Sequence, residues 1–200
     1  MLSGFPILSS SEFHAGCLAL EERFSLHGTK QHEWISVENV QEFDAKFLRI
    51  TKDLSNHVHA DADEDELSEH DDEALETEAR QHAVIHHDIV LSPTYRVPVL
   101  YISIVDPLHR YPPTMAALYE HLIPPPYKEE SGHAGIIGGI TVTDHPVTGR
   151  PAFFIHPCRT TEVMTVIVGK EEVTAEEYLM IWIGALGRCV GLDIPLALMQ

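Results

Sequence analysis

HAVIHHDIVL (residues 82–91), SPT (92–94) and VPVLYISIV (97–105) decide the fold of this chain. The two long runs are rich in branched apolar residues, which favours a hairpin of two long β-strands with a turn between them. His86 and His87 are neighbours in the first strand, so their rings are expected on opposite faces of the sheet. The sheet that contains this hairpin is therefore predicted to be antiparallel.

The N-terminal part adds one helix and two strands. Ser9-Ser10-Ser11 offers N-caps, and apolar residues then recur at helical spacing over residues 13–24. Residues 34–37 and 45–50 are predicted strands, with the connection between them starting at Glu38.

The segments that follow the hairpin alternate short helices and strands. Pro98 suggests an edge position or a bulge near the start of its strand. A short helix is predicted over residues 114–122, and Pro124-Pro125-Pro126 ends it. The Gly-rich stretch 132–139 lacks the spacing of a phosphate loop and is predicted to be flexible.

The last third contains a second hairpin and the closing helices. Residues 140–143 and 152–155 read as its strands, and Thr174 and Glu177 have the spacing of a capping box that opens a buried final helix. The whole chain is thus predicted to be α+β: an N-terminal helix, a four- to six-strand antiparallel β-meander, and C-terminal helices.

The composition favours a soluble protein of a reducing compartment. With 200 residues and 44% hydrophobic residues, the chain can bury one sizeable core. Three cysteines are few, odd in number and far apart, which argues against a disulfide framework. The N-terminus lacks the basic region of a secretory signal, and residues 178–187 are too few to span a bilayer. A cytoplasmic location without stable membrane insertion is expected.

The negative charge is concentrated in one block. The formal net charge is -18, and eleven acidic residues without any Lys or Arg lie between Asp61 and Glu78. We expect a single domain over residues 1–200 with an acidic, solvated insertion at about 53–80. The alternation of Asp61 and Asp63 is a weak calcium signal, because the loop lacks the glycine of an EF-hand. The charge also argues against nucleic-acid partners and anionic membrane surfaces.

His156-Pro157-Cys158 is the strongest candidate for chemistry. The tripeptide follows the apolar strand 152–155 and precedes a predicted helix whose N-cap is Thr160 or Thr161. A thiol beside a helix N-terminus, with a histidine and an arginine as neighbours, lies where a thiolate is stabilised. The alternative is that Cys158 is a small buried core residue.

Two other chemistries use the same thiol. His145, His156 and Cys158 could be zinc ligands, although the chain has no H-x-x-x-H or C-x-x-C pair. A cysteine hydrolase would instead use Cys158 as nucleophile, His145 as general base and Asp144 as the orienting acid.

HPVTGRPAFFIHPCRTTEVM (residues 145–164) resembles the active-site segment of the autophagy E2-like conjugating enzymes, the family of autophagy-related proteins three and ten. Three further segments are similar to the branch of protein ten. They are YRVPVLY (95–101), VGLDIPL (190–196) and HEW (32–34) with the paired strands after it. The resemblance covers most of the chain outside the acidic insertion.

The resemblance implies an E2-like fold and a transferase that needs no cofactor or metal. Cys158 would accept the C-terminal glycine of the autophagy ubiquitin-like protein twelve from the E1-like autophagy-related protein seven. It would then pass the acyl group to a lysine of autophagy-related protein five. A catalytically inactive E2-like adaptor that only binds a ubiquitin-like protein is the alternative, and the retained cysteine argues against it.

The oxyanion stabiliser is the open question, because the cysteine here occupies the asparagine position of the His-Pro-Asn motif of ubiquitin E2 enzymes. The chain's two asparagines, Asn39 and Asn56, are remote in sequence from Cys158. Backbone amides at the helix start, His156, or the hydroxyl of Tyr95 or Thr141 are candidate donors. A structural role for His156 in shaping the active-site turn is also expected. Asp144 or His145 could deprotonate the attacking lysine if the hairpin brings them close.

Overall fold

The structure, a computed structural model, describes residues 1–42, 45–55, 82–129 and 139–199. These ranges contain six strands and five α-helices. They are α1 Ser10–His27, β1 Ser36–Glu42, β2 Ala45–Asp53, β3 Val84–Leu91, β4 Pro98–Val105, α2 Met115–Ala117, α3 Pro125–Glu129, β5 Ile140–Asp144, β6 Pro151–Ile155, α4 Thr160–Val168 and α5 Ala175–Trp182. The acidic insertion was predicted to be solvated and the Gly-rich stretch 132–139 to be flexible. Most of both segments lies outside the described residues.

The strands form a single antiparallel sheet in the order β1-β2-β3-β4-β6-β5. The α+β prediction is therefore confirmed, with the helix first, the sheet next and helices at the C-terminal end. The predicted four- to six-strand meander is present as β1 to β4, and the second hairpin then adds to it with β6, not β5, beside β4. The reason is burial: Phe153 and Ile155 of β6 are in the core, whereas Thr141 and Thr143 of β5 are exposed and suit an edge.

The first strand is longer than its apolar residues indicate. Glu38, predicted to start a connection, lies inside β1, and the strand begins only at Ser36. The polar residues of β1 do not form an apolar pattern that predicts a strand, because the residues that they contact lie on other elements. Glu38 is opposite Arg49 of β2, and Asn39 donates to a Glu21 carboxylate oxygen on α1 at 2.7 Å.

Pro98 does not mark a sheet edge, since β4 lies between β3 and β6. It is tolerated because β6 pairs with β4 only at Tyr101 and Ile102, so the missing N–H of Pro98 interrupts no bond to β6. The hairpin of β5 and β6 is thus attached to the sheet by a short ladder.

The helices cover one face of the sheet, and the main core lies between the two layers. Trp182, Tyr178, Phe153, Ile102 and Leu20 are among its fully or nearly fully buried members. His87 is also completely buried on this inner face, while His86 is only partly buried, as the predicted strand alternation requires.

Capping boxes start the two principal helices. Ser9 and Glu12 cap α1, and Thr174 and Glu177 cap α5 as the sequence predicts. The helix predicted over 114–122 is also present, as α2 continued by a π turn Leu118–Leu122. No helix in the described ranges has the length and apolar character that a bilayer-spanning segment needs.

Candidate active site

Cys158 lies where strand β6 ends and helix α4 begins. A 3₁₀ turn, Pro157–Arg159, connects the two and leaves Cys158 exposed. Cys17 and Cys189 are buried, and burial raises the pKa of Cys17 to about 12 and that of Cys189 to about 11. Neither buried thiol is therefore ionised near neutral pH or open to a macromolecular substrate, which leaves Cys158 as the candidate nucleophile.

His156 caps the turn that carries the cysteine. Its Nδ1 accepts a hydrogen bond from the Cys158 backbone N–H at 3.1 Å. The predicted N-cap at Thr160 or Thr161 is wrong, because Thr160 is already the first residue of α4 and the preceding 3₁₀ turn is capped by His156. The sequence suggested a cap among the usual hydroxyl residues, whereas the imidazole nitrogen takes that role here.

Two aromatic rings hold the imidazole edge-on. The ring centroid of Tyr95 lies 5.7 Å from that of His156 with the planes at 75°, and that of Phe154 lies 5.9 Å away at 86°. Tyr95 comes from the loop before β4, where its backbone N–H donates to the Ser92 hydroxyl. The structure therefore brings Tyr95, His156 and Cys158 together, although they are far apart in sequence.

Thr141 lies one strand away from this cluster. It is paired with Phe154 across the β5–β6 ladder and is exposed. Because paired residues on neighbouring strands share a face, its side chain is on the same face of the sheet as Phe154. Asn39 is on β1 at the opposite edge of the sheet, and Asn56 lies outside the described residues.

His145 and Asp144 are at the wrong end of the hairpin for the hydrolase and zinc alternatives. Asp144 is paired with Pro151, whereas Ile155, next to the active tripeptide, is paired with Ile140. Four residues of strand separate these two pairs by roughly 13 Å. Neither residue can therefore deprotonate Cys158, orient a base beside it or share a metal ion with it. The hypothesis that Asp144 or His145 deprotonates the attacking lysine is also wrong, for the same reason of distance.

His145 is instead buried on the outer face of the sheet. Its Nδ1 accepts hydrogen bonds from the N–H groups of Val147 and Thr148, both at 3.2 Å. Its Nε2 lies 3.3 Å from Oδ2 of Asp88, which also forms a bidentate pair with Arg49 at 2.7 Å for each bond. The proton of the ring is thus on Nε2, facing the carboxylate.

A small pocket adjoins the cysteine. Its volume is about 110 Å³, and its walls contain Cys158, Pro98, Ile155, Trp182 and Leu186. The sequence did not predict this pocket, because its pattern identifies Trp182 and Leu186 only as apolar residues of a buried helix. Their spacing of four residues places them on one helix face, but which residues that face meets depends on the tertiary fold.

Residues 12–197 match the family described as autophagocytosis associated protein, active-site domain. This range includes Cys158 and every element that positions it. The chain belongs to this family. The predicted family is therefore confirmed, as is the prediction that the chain is an E2-like conjugating enzyme.

Individual relatives share the same description. Ubiquitin-like-conjugating enzyme ATG10 of Gibberella zeae is 30% identical over 231 residues, which cover 97% of each chain. The protein of that name from Homo sapiens is 30% identical over 139 residues, or 66% of this chain and 60% of the relative. The one from Dictyostelium discoideum is 28% identical over 127 residues, or 58% and 54%.

The chain is also similar in fold to a solved structure. A crystal structure titled as that of the autophagic E2, Atg10, has a TM-score of 0.46 and 14% identity to this chain. The alignment covers 94% of this chain and 99% of the other.

Proposed function

We propose that this chain carries the autophagy ubiquitin-like protein twelve as a thioester on Cys158 and transfers it to a lysine of autophagy-related protein five. The E1-like autophagy-related protein seven would supply the activated acyl group. One observation carries the proposal: Cys158 is exposed on a capped turn inside the family's active-site segment, while the other two cysteines are buried.

Two acyl transfers make up the reaction. The Cys158 thiolate attacks the thioester carbonyl carbon presented by the E1, a new C–S bond forms, and the E1 thiolate leaves. The neutral lysine amine of the substrate then attacks the same carbon, an amide forms, and the C–S bond breaks. The nitrogen loses one proton to solvent, and Cys158 leaves as the thiolate. The acyl group arrives already activated, so neither step needs a cofactor or a metal.

Each step passes through a tetrahedral oxyanion that must be stabilised. The Cys158 N–H already donates to His156, so this amide is engaged in holding the turn. The hydroxyls of Tyr95 and Thr141 are the proposed donors, with Tyr95 favoured because its ring contacts the imidazole of His156. His156 itself would support catalysis by fixing the backbone of Cys158.

The proposal places the reaction in a single catalytic domain in the cytoplasm. Three free cysteines suit a reducing compartment. Thiol chemistry at an exposed cysteine requires such a compartment, because an oxidised Cys158 would not accept an acyl group.

The test is a charging assay. The chain would be incubated with the E1, ATP and the ubiquitin-like protein, and the products separated with and without reducing agent. We expect an adduct that reducing agent removes, that is absent in Cys158→Ala and that persists in the control Cys17→Ala. Binding without any adduct would indicate an adaptor and overturn the proposal. Cleavage of a simple ester without E1 would instead indicate a hydrolase.

A further inference from the structure

The pocket beside Cys158 is not used by the two transfer steps as proposed above. It opens next to the thiol, and its walls are mainly apolar: Pro98, Ile155, Trp182 and Leu186. The residues around the cysteine complete the lining, namely His156, Pro157, Arg159 and Thr160, together with Gly139. These walls come from β4, β6 and the C-terminal helix, so three separate parts of the core meet at the cysteine. A cavity of about 110 Å³ has the scale of one side chain rather than of a small-molecule cofactor.

Covalent geometry limits what can enter this pocket when the thiol is loaded. The proposed acyl group is the terminal glycine of the ubiquitin-like protein, bonded directly to Cys158 Sγ. Successive Cα atoms are 3.80 Å apart, so the residue before that glycine must lie within roughly 8 Å of the sulfur. Residues further along the tail move away from the pocket at about the same step.

We propose that the pocket receives the side chain of the residue that precedes the C-terminal glycine, and that this side chain is apolar. The inference rests on the proposed function, since it needs an acyl chain on Cys158. The walls favour an apolar side chain because most of the surface that it would meet is apolar. A basic side chain would lose hydration and would also meet Arg159, a like charge that lines the same pocket. A glycine at that position would leave the pocket empty, and the complex would lose the free energy gained by burying an apolar side chain there.

Gly139 provides a way to fill the pocket without disturbing the fold. It lines the pocket, and a Cβ added there would meet no atom of the described residues within 4 Å. Gly139→Leu is therefore expected to fold normally and to narrow the pocket. Thr143→Leu is the matched control, because Thr143 is an exposed residue near the far end of β5, the strand that Gly139 precedes.

The experiment uses the full chain and synthetic peptide thioesters that end in X-Gly, with X as Leu, Phe, Gly or Lys. Acyl transfer to Cys158 is followed by mass spectrometry, which removes the E1 from the measurement. We expect the Leu and Phe peptides to react roughly 10- to 100-fold faster than the Gly and Lys peptides. We also expect Gly139→Leu to abolish that preference and Thr143→Leu to keep it.

Each remaining result has a distinct meaning. Two results would overturn the pocket assignment and leave the carrier role intact. The first is an equal rate for all four peptides. The second is a preference that persists in Gly139→Leu when this variant unfolds at the same temperature as the wild type. If no peptide acylates Cys158 and the E1 charging assay also gives no adduct, the proposed function itself fails.

Discussion

His145 Nε2 lies 3.3 Å from Asp88 Oδ2, and both side chains are almost completely buried on the outer face of the sheet. Asp88 is on β3, whereas His145 begins the turn between β5 and β6. The hairpin of β5 and β6 carries the active tripeptide and is joined to β4 by only two residue pairs. The contact between His145 and Asp88 holds the other end of this hairpin, at its turn, against the sheet. The histidine predicted as a candidate catalytic base therefore has a structural role: it holds the turn that leads into β6, the strand that ends at Ile155 just before the active tripeptide.

Removing the carboxylate should destabilise the protein. Asp88→Ala leaves the Arg49 guanidinium without its bidentate partner and the Nε2 N–H of His145 without the carboxylate that it faces. Breaking a buried charged pair from one side costs about 3 kcal/mol or more. Urea unfolding should show that loss in the free energy of unfolding. An exposed aspartate such as Asp193 provides the control, and a loss at Asp88 no larger than at Asp193→Ala would contradict the anchoring role.

The same carboxylate should make stability depend on acid. Burial by itself raises the pKa of Asp88, but the hydrogen bonds from Arg49 and the neighbouring His145 outweigh it and hold the pKa below its ordinary value. A lowered pKa in the folded state stabilises the protein fully above the unfolded value of about 3.9 and loses that effect as the pH falls below it. Unfolding free energies measured from about pH 6 to about pH 3 should therefore fall more steeply in the wild type than in Asp88→Asn. Parallel curves would show that Asp88 is not linked to the acid transition.

Loss of the imidazole cap should affect both stability and charging. His156→Ala removes the acceptor of the Cys158 N–H, and losing an N-cap costs about 1 kcal/mol. Because the cap fixes the backbone of the nucleophile, the charging rate should fall as well. His156→Asn should restore most of both, since its side-chain oxygen can accept the same bond. If His156→Ala charges at the wild-type rate, the imidazole has no positioning role.

The hydroxyl of Tyr95 is expected to act in lysine transfer rather than in folding. Tyr95→Phe retains the ring that packs on His156 and removes only the donor. Loss of one oxyanion donor slows such reactions by about 100-fold. Single-turnover transfer from preformed thioester to lysine measures this step, with Tyr111→Phe as control because Tyr111 packs on His121, outside the cluster. Unchanged transfer in both Tyr95→Phe and Thr141→Ala would exclude the two hydroxyls as oxyanion donors.

Gly16 should resist a substitution that normally stabilises helices. Alanine in place of glycine inside a helix is usually favourable by roughly 0.5–1 kcal/mol. A Cβ at Gly16, however, would lie 2.6 Å from the Ala175 carbonyl oxygen, a backbone atom that cannot move aside without shifting α5. Gly16→Ala should therefore lower the free energy of unfolding by about 1–3 kcal/mol. At Gly184, where the nearest atom is a flexible Ile194 methyl at 3.8 Å, the same change should be neutral or stabilising.

Local patterns were sufficient where the deciding interactions are local. The capping boxes at Ser9 and Thr174, the strands β3 and β4, and the α+β class follow from residues a few positions apart. The edge strand β1 was misplaced because the partners of its polar side chains, Glu21 and Arg49, are on other elements.

The sequence by itself determined that Cys158 is the residue to examine, because its flanking motif and its position at a strand end are contiguous in the chain. Only the tertiary structure decided which residues surround it. Tyr95 reaches His156 from a separate loop, His145 faces the buried carboxylate that Arg49 pairs with on β3, and Trp182 lines the pocket from the last helix. Such neighbours are set by how the layers pack, since burial and charge pairing act between elements that spacing along the chain does not relate.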